Sequence, residues 1–357
     1  MSMEKEKISI IVLMYNCGNA AGECIRSIIN QTYQNWELIL VHGASSDNTY
    51  EICEKYSNND SRIRNIVYLD KKGPSPARWR GAIDATGEWM MFIDGDDWLD
   101  DNCLSDVYSK AIEFNRPDFV FWKFEQIMDD KVIRGKWNFN DDKEYQYYQG
   151  DECKELSCQM MNYRAGLGES YAKLIKTEYC KRNNIYPNPN LRQGLEGWEY
   201  TLRLSYMAKS ALFINRPYYK YRYSPTSLSK ISNESEIDYI HQCLISMFDF
   251  CNIMDPLFKN KMKEKLYQRA LYTVLAVAMS TYFNPNSKEK YSIRKERYKS
   301  ALQRCYILNN SLKYADYSAF DKKRKFTIEC IKHHLFFPLE IVAKVKYLLI
   351  LNGYYNY

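Results

Sequence analysis

The sequence predicts an α/β protein, in which a doubly wound, mostly parallel sheet is flanked by helices and followed by a helical C-terminal extension. Three observations predict it. Short apolar runs alternate with amphipathic segments over residues 8–94, as is typical of parallel βαβ units. Polar loops follow these apolar runs, and from residue 235 onward long segments of helical periodicity replace the alternation.

The elements follow in order along the chain. Residues 8–13 form a continuous apolar run, as expected of a strand buried on both faces. The same pattern predicts further strands over 36–41, 65–69 and 89–93, and helices over 20–30, 49–56 and 75–85. Asp47 or Asn48 is placed to cap the second helix. Residues 125–190 are Tyr-rich and mixed, and the last predicted helices cover 239–254, 257–281, 294–308 and 322–351.

Composition bounds the class of protein. The chain has 357 residues, 46% hydrophobic and 26% charged, which leaves room for a buried core and a second unit. Its 11 cysteines include no CxxC pair, so a reduced protein is expected rather than a disulfide framework or a zinc site. The chain opens without a signal-peptide pattern and has no uncharged apolar run of the ~20 residues that span a bilayer. The expected location is the cytoplasm.

Charge is distributed unevenly. Residues 1–256 hold 30 Lys and Arg against 37 Asp and Glu, whereas residues 257–357 hold 20 against 7. One interpretation is a peripheral protein whose basic C-terminal region binds the anionic inner face of the cell membrane. The other is a core-packing helix with a solvated basic face. Nucleic acid is not an expected partner, because the sequence shows no nucleic-acid-binding motif. The apolar residues expected to insert into lipid are Phe336, Phe337, Leu339, Ile341, Val342 and Val345.

The sharpest motif is DGDDW at residues 94–98, which places three carboxylates directly after an apolar strand. Their mutual repulsion and desolvation are costly without a cation. Mg²⁺ or Mn²⁺ takes oxygen ligands, commonly one or two protein carboxylates together with substrate phosphates. The alternative interpretation is an acidic turn that caps the next helix. Because the carboxyl ends of parallel strands meet at one edge, the loops after the first, second and fourth strands are expected to converge there.

These segments together resemble the family 2 glycosyltransferases, which have the GT-A fold. The resemblance rests on four blocks in order, SIIVLMYN, SIINQTYQNWELILV, GASSDNT and GPSPARWRGAIDATGEWMMFIDGDDWL, and extends more weakly to Ser229. It implies a GT-A domain over 1–232, with a nucleotide-sugar-binding half (1–100) and an acceptor half (101–232), before a helical basic region (233–357). It also implies inverting transfer from a nucleotide-diphosphate sugar, with a UDP-sugar favoured. The implied acceptor is a saccharide or lipid-linked saccharide in surface polysaccharide synthesis.

The resemblance further implies roles for individual residues. Asp96 corresponds to a metal contact, and Asp94 to a carboxylate that binds the donor ribose or a metal-bound water, with Mn²⁺ or Mg²⁺ as the metal. Leu13 and Tyr15 stand where the family packs the nucleobase. Many relatives carry two Asp after the second strand, where this chain has His42 and Gly43. The donor-binding set is therefore Leu13, Tyr15, His42, Gly43, Arg78, Asp94 and Gly95.

Inversion also requires a base that takes the proton of the acceptor hydroxyl, usually a carboxylate. LRQGLEGWEYTLRL, at residues 191–204, resembles the family segment in which an acidic pair precedes an aromatic residue and an Arg. Glu196 and Gly197 align with that pair, so the usual Asp is missing. Glu196 is the expected base, and Glu199, one helical turn further, is the alternative.

The sequence departs from the family pattern at another position, where Ser224 replaces a His that approaches the diphosphate. Arg222 or Lys220 is the expected substitute, because Arg binds phosphate through two parallel hydrogen bonds. The departures leave an alternative function: a catalytically impaired relative that binds a nucleotide sugar or a saccharide. A haloacid-dehalogenase-type phosphatase is disfavoured because its motif belongs on the first strand. A dinucleotide-dependent oxidoreductase would need GxGxxG after that strand, and YNCGNAAGE lacks it.

Overall fold

The computed structural model describes residues 5–68, 73–128, 131–133, 139, 142–162, 165–223 and 234–351. The chain divides into two compact units, Met1–Ser224 and Pro225–Tyr357. The expected domain boundary at residues 232 and 233 falls outside the described residues, and the functional division of 1–232 into two halves stays a prediction.

The first unit is built on one sheet. Its strands are β1 (Ile8–Met14), β2 (Trp36–His42), β3 (Ile63–Val67), β4 (Trp89–Asp94), β5 (Trp98–Leu99), β6 (Phe119–Met128), β7 (Lys131–Ile133), β8 (Tyr145–Gln149), β9 (Lys173–Lys176) and β10 (Ser210–Arg222). Its helices are α1 (Asn19–Ile29), α2 (Thr49–Asn59), α3 (Pro74–Asp84), α4 (Cys103–Glu113), α5 (Asp151–Met160), α6 (Thr177–Asn183) and α7 (Glu196–Met207).

The strand order is β3-β2-β1-β4-β9-β6-β10-β5, with β7 paired to β6 and β8 paired to β10. Strands β3, β2, β1 and β4 are parallel to one another, as predicted from the alternation of strands and helices. β9 runs antiparallel between β4 and β6, and β6 pairs with β10 in parallel. The predicted α/β fold class is confirmed, and the region left without prediction supplies the antiparallel strands β7, β8 and β9.

Burial explains why these strands form. Every residue of β2 and nearly every residue of β1 is buried, which suits apolar β-branched side chains covered by helices on both faces. α3 packs closely against β1 at Gly81, which has no side chain. A Cβ at this position would collide with the Ile11 side chain. The first-unit strands and helices predicted from periodicity agree with the structure to within a few residues.

The second unit is helical. It contains α8 (Glu234–Cys251), α9 (Pro256–Val277) with a π-helical turn (Ala278–Tyr282), α10 (Tyr291–Arg304), α11 (Tyr306–Tyr314), α12 (Lys322–Lys332) and α13 (Phe337–Leu351). Two helices predicted as continuous are each broken, so those predictions were wrong. The backbone of Cys305 leaves the helical region at ψ 76°, and His334 is left-handed at φ 57°. Pro338, just beyond, cannot continue a helix from the preceding turn.

The end of the second unit corrects one further expectation. Phe336 and Leu339, predicted to face lipid, are buried, and the Phe336 ring stacks on Phe283 with ring centres 5.9 Å apart. Phe337 and Ile341 are 61% and 52% exposed, as the lipid interpretation requires. Within the described residues, no helix combines the length and apolar character that a membrane span requires.

Candidate active site

The ends of β1, β2 and β4 meet at one edge of the sheet. In the register, Leu13 lies opposite Asp94 and Met14 lies opposite His42. Gly95 continues this edge, since its N–H donates to the Leu13 carbonyl at 3.0 Å. The residues predicted to bind the donor from separate segments are therefore neighbours in space. We call this edge, at the ends of β1, β2 and β4, the donor edge.

Two glycines let this edge close up. A Cβ on Gly95 would lie 2.5 Å from the Leu13 carbonyl oxygen and 2.8 Å from the Cys17 Sγ, so only glycine fits there. A Cβ on Gly43 would lie 3.1 Å from the Tyr15 ring, and Tyr15 is nearly half exposed. An aromatic ring therefore lies over Gly43 with part of its surface open to a ligand.

The loops that follow β1 and β2 are bound to each other. Asn16, left-handed at φ 50°, accepts from the Ser46 N–H at 2.8 Å, and its own N–H donates to the Ser45 Oγ at 3.1 Å. Asp47 accepts from the Gly18 N–H at 2.8 Å and from the Thr49 Oγ1 at 2.6 Å. Sequence reasoning missed Asn16, although Asn is the residue after Gly that most readily adopts this conformation.

His42, predicted to bind the donor, is buried at the end of β2. Its ring lies edge-on to Tyr50 with ring centres 5.0 Å apart, and neither ring nitrogen has a hydrogen-bond partner among the described residues. Burial lowers the pKa of His42 although the nearby Asp47 and Glu51 act in the opposite direction. Both nitrogens of this neutral imidazole are buried, so the structure does not present them at the surface of the sheet edge, and a role in donor binding stays a prediction.

The three carboxylates of DGDD have distinct environments. Asp97 is buried, and it accepts from the Tyr219 hydroxyl at 2.5 Å and from the Arg222 N–H at 2.8 Å. Burial, with the charges of Asp96 and Asp94, raises the pKa of Asp97 well above its usual range. Asp97 thus organises the turn from inside. Sequence reasoning did not assign it a role.

Asp96 is the partly exposed carboxylate of the turn. Burial and the charge of Asp94 raise the pKa of Asp96 to about 6, against a smaller opposite effect of Arg222. No hydrogen bond or ion pair joins its carboxylate to another side chain among the described residues. A carboxylate that is desolvated, beside a like charge and without an internal partner is one whose ionised form a cation would stabilise.

Arg78, predicted near the donor, is buried in α3 and joins two predicted site residues. One Nη donates to the Asp94 Oδ1 at 2.9 Å and the other to the Glu196 Oε1 at 3.1 Å. Burial opposes the charge of the guanidinium, but Asp94 and Glu196 outweigh it and raise the pKa of Arg78. The structure therefore connects the donor edge to the start of α7 through one buried cation.

Arg222 and Lys220, the substitutes expected for the missing His, differ in position. The Arg222 Nε donates to the Asp96 carbonyl at 2.9 Å, and its guanidinium pairs with Glu23 and lies 4.6 Å from the Trp98 ring centre. Arg222 is therefore at the DGDD turn. The Lys220 ammonium is held by the carboxylates of Glu125 at 2.9 Å and Asp100 at 3.0 Å. Ser224 itself lies outside the described residues.

The two glutamates predicted as base candidates occupy different environments in α7. Glu196 is the first residue of the helix and meets Arg78. Glu199 is 1% exposed, and both its oxygens accept from Arg203, each at 2.8 Å. Arg203 also donates to the Tyr186 carbonyl at 2.8 Å, so this pair ties α7 to the preceding segment. The structure brings Glu196, rather than Glu199, to the donor edge.

Two tyrosines that were not predicted as site residues, Tyr171 and Tyr219, lie in the same region. The Tyr219 hydroxyl donates to Asp97 and accepts from the Asp94 N–H at 3.2 Å. The Tyr171 and Tyr219 rings stack with their centres 4.5 Å apart and their planes 10° apart. The abundance of Tyr was a signal for such a site, but only the fold brings residues 171 and 219 together.

The donor set suits a shared metal rather than a metal held by protein alone. No group of three or more His, Cys, Asp and Glu side chains is arranged to hold a metal in the part of the chain that the structure describes. Asp94 and Asp96 offer two carboxylates at the open edge of the sheet. This number fits the hard cations that complete their shell with water and substrate phosphates.

Comparison with known proteins agrees with this site and fold. The family described as "Glycosyl transferase family 2" matches residues 9–167. Glycosyltransferase GlyG of Streptococcus pneumoniae serotype 4 is 32% identical over 226 residues, covering 61% of this chain and 71% of that protein. Glycosyltransferase GlyA of the same organism is 25% identical over 84% of this chain, which spans only 42% of the length of GlyA.

Among solved structures, residues 1–349 of S. aureus TarS in complex with UDP-GlcNAc share the fold. The TM-score is 0.67 at 16% identity, and the match covers 98% of this chain and 93% of that one. The matching family and the shared fold together define a glycosyltransferase with the GT-A architecture. The chain belongs to glycosyltransferase family 2, as the resemblance of its motifs predicts.

Proposed function

We propose that this chain is an inverting, metal-dependent glycosyltransferase. It moves a sugar from a nucleotide-diphosphate sugar, with a UDP-sugar favoured, to a hydroxyl of a saccharide or lipid-linked saccharide in surface polysaccharide synthesis. The observation that carries the proposal is the partly exposed Asp96 carboxylate, which stands beside Asp94 at the open edge of the sheet and whose pKa stays raised although its own backbone N–H and Arg222 act in the opposite direction.

The proposed chemistry at this edge is electrostatic. Cleavage of a glycosyl–phosphate bond leaves new negative charge on the departing nucleoside diphosphate. Mn²⁺ or Mg²⁺, bound by Asp96 and Asp94, would act as a Lewis acid that stabilises this charge. Arg78 fixes the orientation of Asp94 through the 2.9 Å ion pair. Asp97 and Tyr219 hold the turn in place from the buried side.

The nucleotide would lie at the ends of β1 and β2. The exposed face of Tyr15 over Gly43 offers a stacking surface, and Leu13 adds an apolar contact. His42 lies buried at the end of β2, and a small shift of its neighbours would bring its unpartnered ring nitrogens within reach of the base. The fold shared with the TarS complex that contains UDP-GlcNAc supports a uracil nucleotide.

Removal of the acceptor proton is the second requirement. Glu196 stays the base predicted from the sequence, and its place at the start of α7, linked through Arg78 to the donor edge, supports a role on the acceptor side. Its ion pair with a buried guanidinium complicates that role, because accepting a proton would cancel the charge that Arg78 meets there. Protonation of Glu196 would therefore weaken its ion pair with Arg78.

A second candidate function is a nucleotide-sugar-binding or saccharide-binding module without turnover. The absence of an acid at Gly197 and of a His at Ser224 favours it. The environment of Asp96 counts against it, because an unpaired, desolvated carboxylate serves no packing role. The two functions differ in whether UDP is released from a bound UDP-sugar.

Membrane attachment is part of the proposal for the second unit. Phe337, Ile341, Val345 and Leu348 are each about half exposed and recur at helical spacing along one face of α13, with exposed Lys344 beside them. Exposed Lys322 and Lys323 open α12. Apolar side chains bordered by cations suit the interface of an anionic bilayer, where lipid-linked acceptors reside.

A thermal-shift panel tests the donor and the metal together. UDP-, GDP- and dTDP-sugars are each added with and without Mn²⁺, because a ligand that binds the native state raises the unfolding temperature according to its occupancy. We expect a UDP-sugar to give the largest shift, only with Mn²⁺, and Asp96→Ala to abolish that shift. An equal shift in the presence of EDTA would contradict the metal role.

A further inference from the structure

A glycine stands at the position where the family segment carries its second acid, and another carboxylate lies against that glycine. A Cβ added to Gly197 would lie 3.3 Å from the Glu169 Oε2 and 3.1 Å from the Ser170 backbone nitrogen. A side chain on residue 197 would thus extend into space that the Glu169 carboxylate occupies. We propose that Glu169 is the base that takes the acceptor proton, in place of an acid at position 197.

The Glu169 carboxylate is oriented from α7. Its Oε1 accepts from the Trp198 Nε1 at 2.9 Å, and Oε2 is the atom that faces Gly197. The Trp198 ring lies directly on Gly168, where any Cβ would collide with it. Trp198 is therefore a positioning residue, which acts through the Glu169 side chain.

The backbone around Glu169 is also fixed. Its carbonyl accepts from the Thr201 Oγ1 at 3.1 Å and from the ammonium of Lys173. The buried Lys173 ammonium bonds the Leu167 carbonyl as well, at 3.0 Å. The segment is thus held at the alternate carbonyls of Leu167, Glu169 and Tyr171, which keeps a carboxylate in place without regular secondary structure, as a base requires.

Glu169 lies close to the donor edge. Burial, then the charges of Glu169, Asp97 and Asp94, raise the pKa of the Tyr171 phenol, so one side chain is within electrostatic range of all three carboxylates. Tyr171 stacks on Tyr219, whose hydroxyl bonds Asp97. These buried rings therefore connect the Glu169 segment to the DGDD turn, and an acceptor hydroxyl bound between the two would meet Glu169.

The other two glutamates are committed to arginines. Glu196 bonds the buried Arg78, which also orients Asp94, and a proton on Glu196 would disturb the donor edge. Glu199 is paired through both oxygens with Arg203. In this arrangement Glu196 is a positioning residue for Arg78 and Glu199 pairs with Arg203, whereas Glu169 occupies the place into which an acid at position 197 would extend.

The proposed step rests on the proposed function and transfers one proton to Glu169. The acceptor oxygen attacks the anomeric carbon of the donor, and its bond to hydrogen breaks as Glu169 takes the proton. The bond from the anomeric carbon to the phosphate oxygen breaks, and its electron pair leaves with the nucleoside diphosphate. The products are the inverted glycoside, the diphosphate and protonated Glu169, which returns its proton to solvent.

The test compares Glu169→Gln, Glu196→Gln and a control, Glu178→Gln, which removes an exposed carboxylate of α6. UDP release is followed with water as acceptor, from the UDP-sugar that gives the largest Mn²⁺-dependent thermal shift. Glu169→Gln is expected to lower kcat by about 10²–10⁴-fold, the usual contribution of a general base, and to remove the acidic limb of the pH–kcat profile. Its donor-induced thermal shift should equal that of the wild type.

Glu196→Gln is expected to keep the acidic limb while weakening the donor-induced shift, because Arg78 loses a partner. Relocation of the acid gives a second test, since Glu169→Ala with Gly197→Asp should recover at least tenfold in kcat over Glu169→Ala alone. Wild-type kcat in Glu169→Gln, or loss of the acidic limb in Glu196→Gln only, would overturn the proposal. Absence of any Mn²⁺-dependent donor binding by the wild type would instead reject the proposed function, and this inference with it.

Discussion

The DGDD turn and the first turns of α7 are both acidic, and they differ in where their counter-charges come from. Around α7, Glu196 meets Arg78 and Glu199 meets Arg203. At the turn, Asp96 meets no cation through its carboxylate among the described residues. The glutamates of α7 are therefore neutralised within the protein. The donor edge keeps a negative charge for a ligand to neutralise.

The largest effect is expected from removal of the Asp96 carboxylate, because no arginine or lysine of the described residues forms an ion pair with it. Asp96→Ala is expected to lower kcat/KM for sugar transfer by about 10³-fold or more, because the metal-bound diphosphate loses its protein anchor. Steady-state UDP release measures the loss, and Mn²⁺-dependent thermal shift measures metal and donor binding independently. Asp101→Asn, an exposed acid nearby, is the matched control and should behave as wild type. Full activity in Asp96→Ala would contradict the metal site.

On the compensated side, removal of a cation should cost stability. Arg203→Met takes the bidentate partner from buried Glu199, and we expect the free energy of unfolding to fall by about 3–5 kcal/mol. Urea denaturation measures it. Arg216→Met is the control, because its pair with Glu144 is half exposed on both sides and solvent screens it, so its removal is expected to change stability little. Equal losses in the two variants would show that the Glu199 pair is not electrostatically special.

A smaller effect is expected from acidic pH, which should weaken metal binding at the DGDD turn. Protons compete with the cation for Asp96, whose pKa is raised to about 6, so the ionised ligand is depleted as pH falls through 6. Mn²⁺ affinity in the presence of UDP is therefore expected to drop about tenfold per pH unit below 6, for one displaced proton, and to level off above it. Isothermal titration with Mn²⁺ between pH 5 and 7.5 checks the slope. A flat profile would mean that Asp96 does not bind the metal.

The last expected effect concerns the basic second unit. Reversal of two exposed charges, Lys322→Glu with Lys323→Glu, should weaken binding to phosphatidylserine vesicles by about 30-fold or more, since each basic residue near an anionic surface contributes about 1 kcal/mol. Vesicle co-sedimentation measures it. Lys288→Glu with Lys290→Glu makes the same charge change elsewhere in the unit and should have less effect. Equal weakening by both pairs would indicate net charge rather than a defined surface.

Much of the fold could be predicted from the sequence. The parallel strands β1 to β4 follow from apolar runs whose burial is dictated by their own residues, and the edge with Asp94 follows from strand direction alone. Two helix breaks, at Cys305 and His334, were missed. Pro338 is a local signal for the break near His334, whereas no Gly or Pro marks Cys305, so packing of the second unit decides that break.

The candidate site divides in the same way. The carboxylates that follow β4 can be read from the sequence, and so can the glycine at position 197, where the family segment carries an acid. Both facts are local to one segment. Only the tertiary structure decided which carboxylates are neutralised internally, and by which arginines. Arg78 and Glu196 are 118 residues apart, and Glu169 and Trp198 are 29 apart. Pairing across such separations depends on how the sheet and α7 pack, which no local pattern encodes.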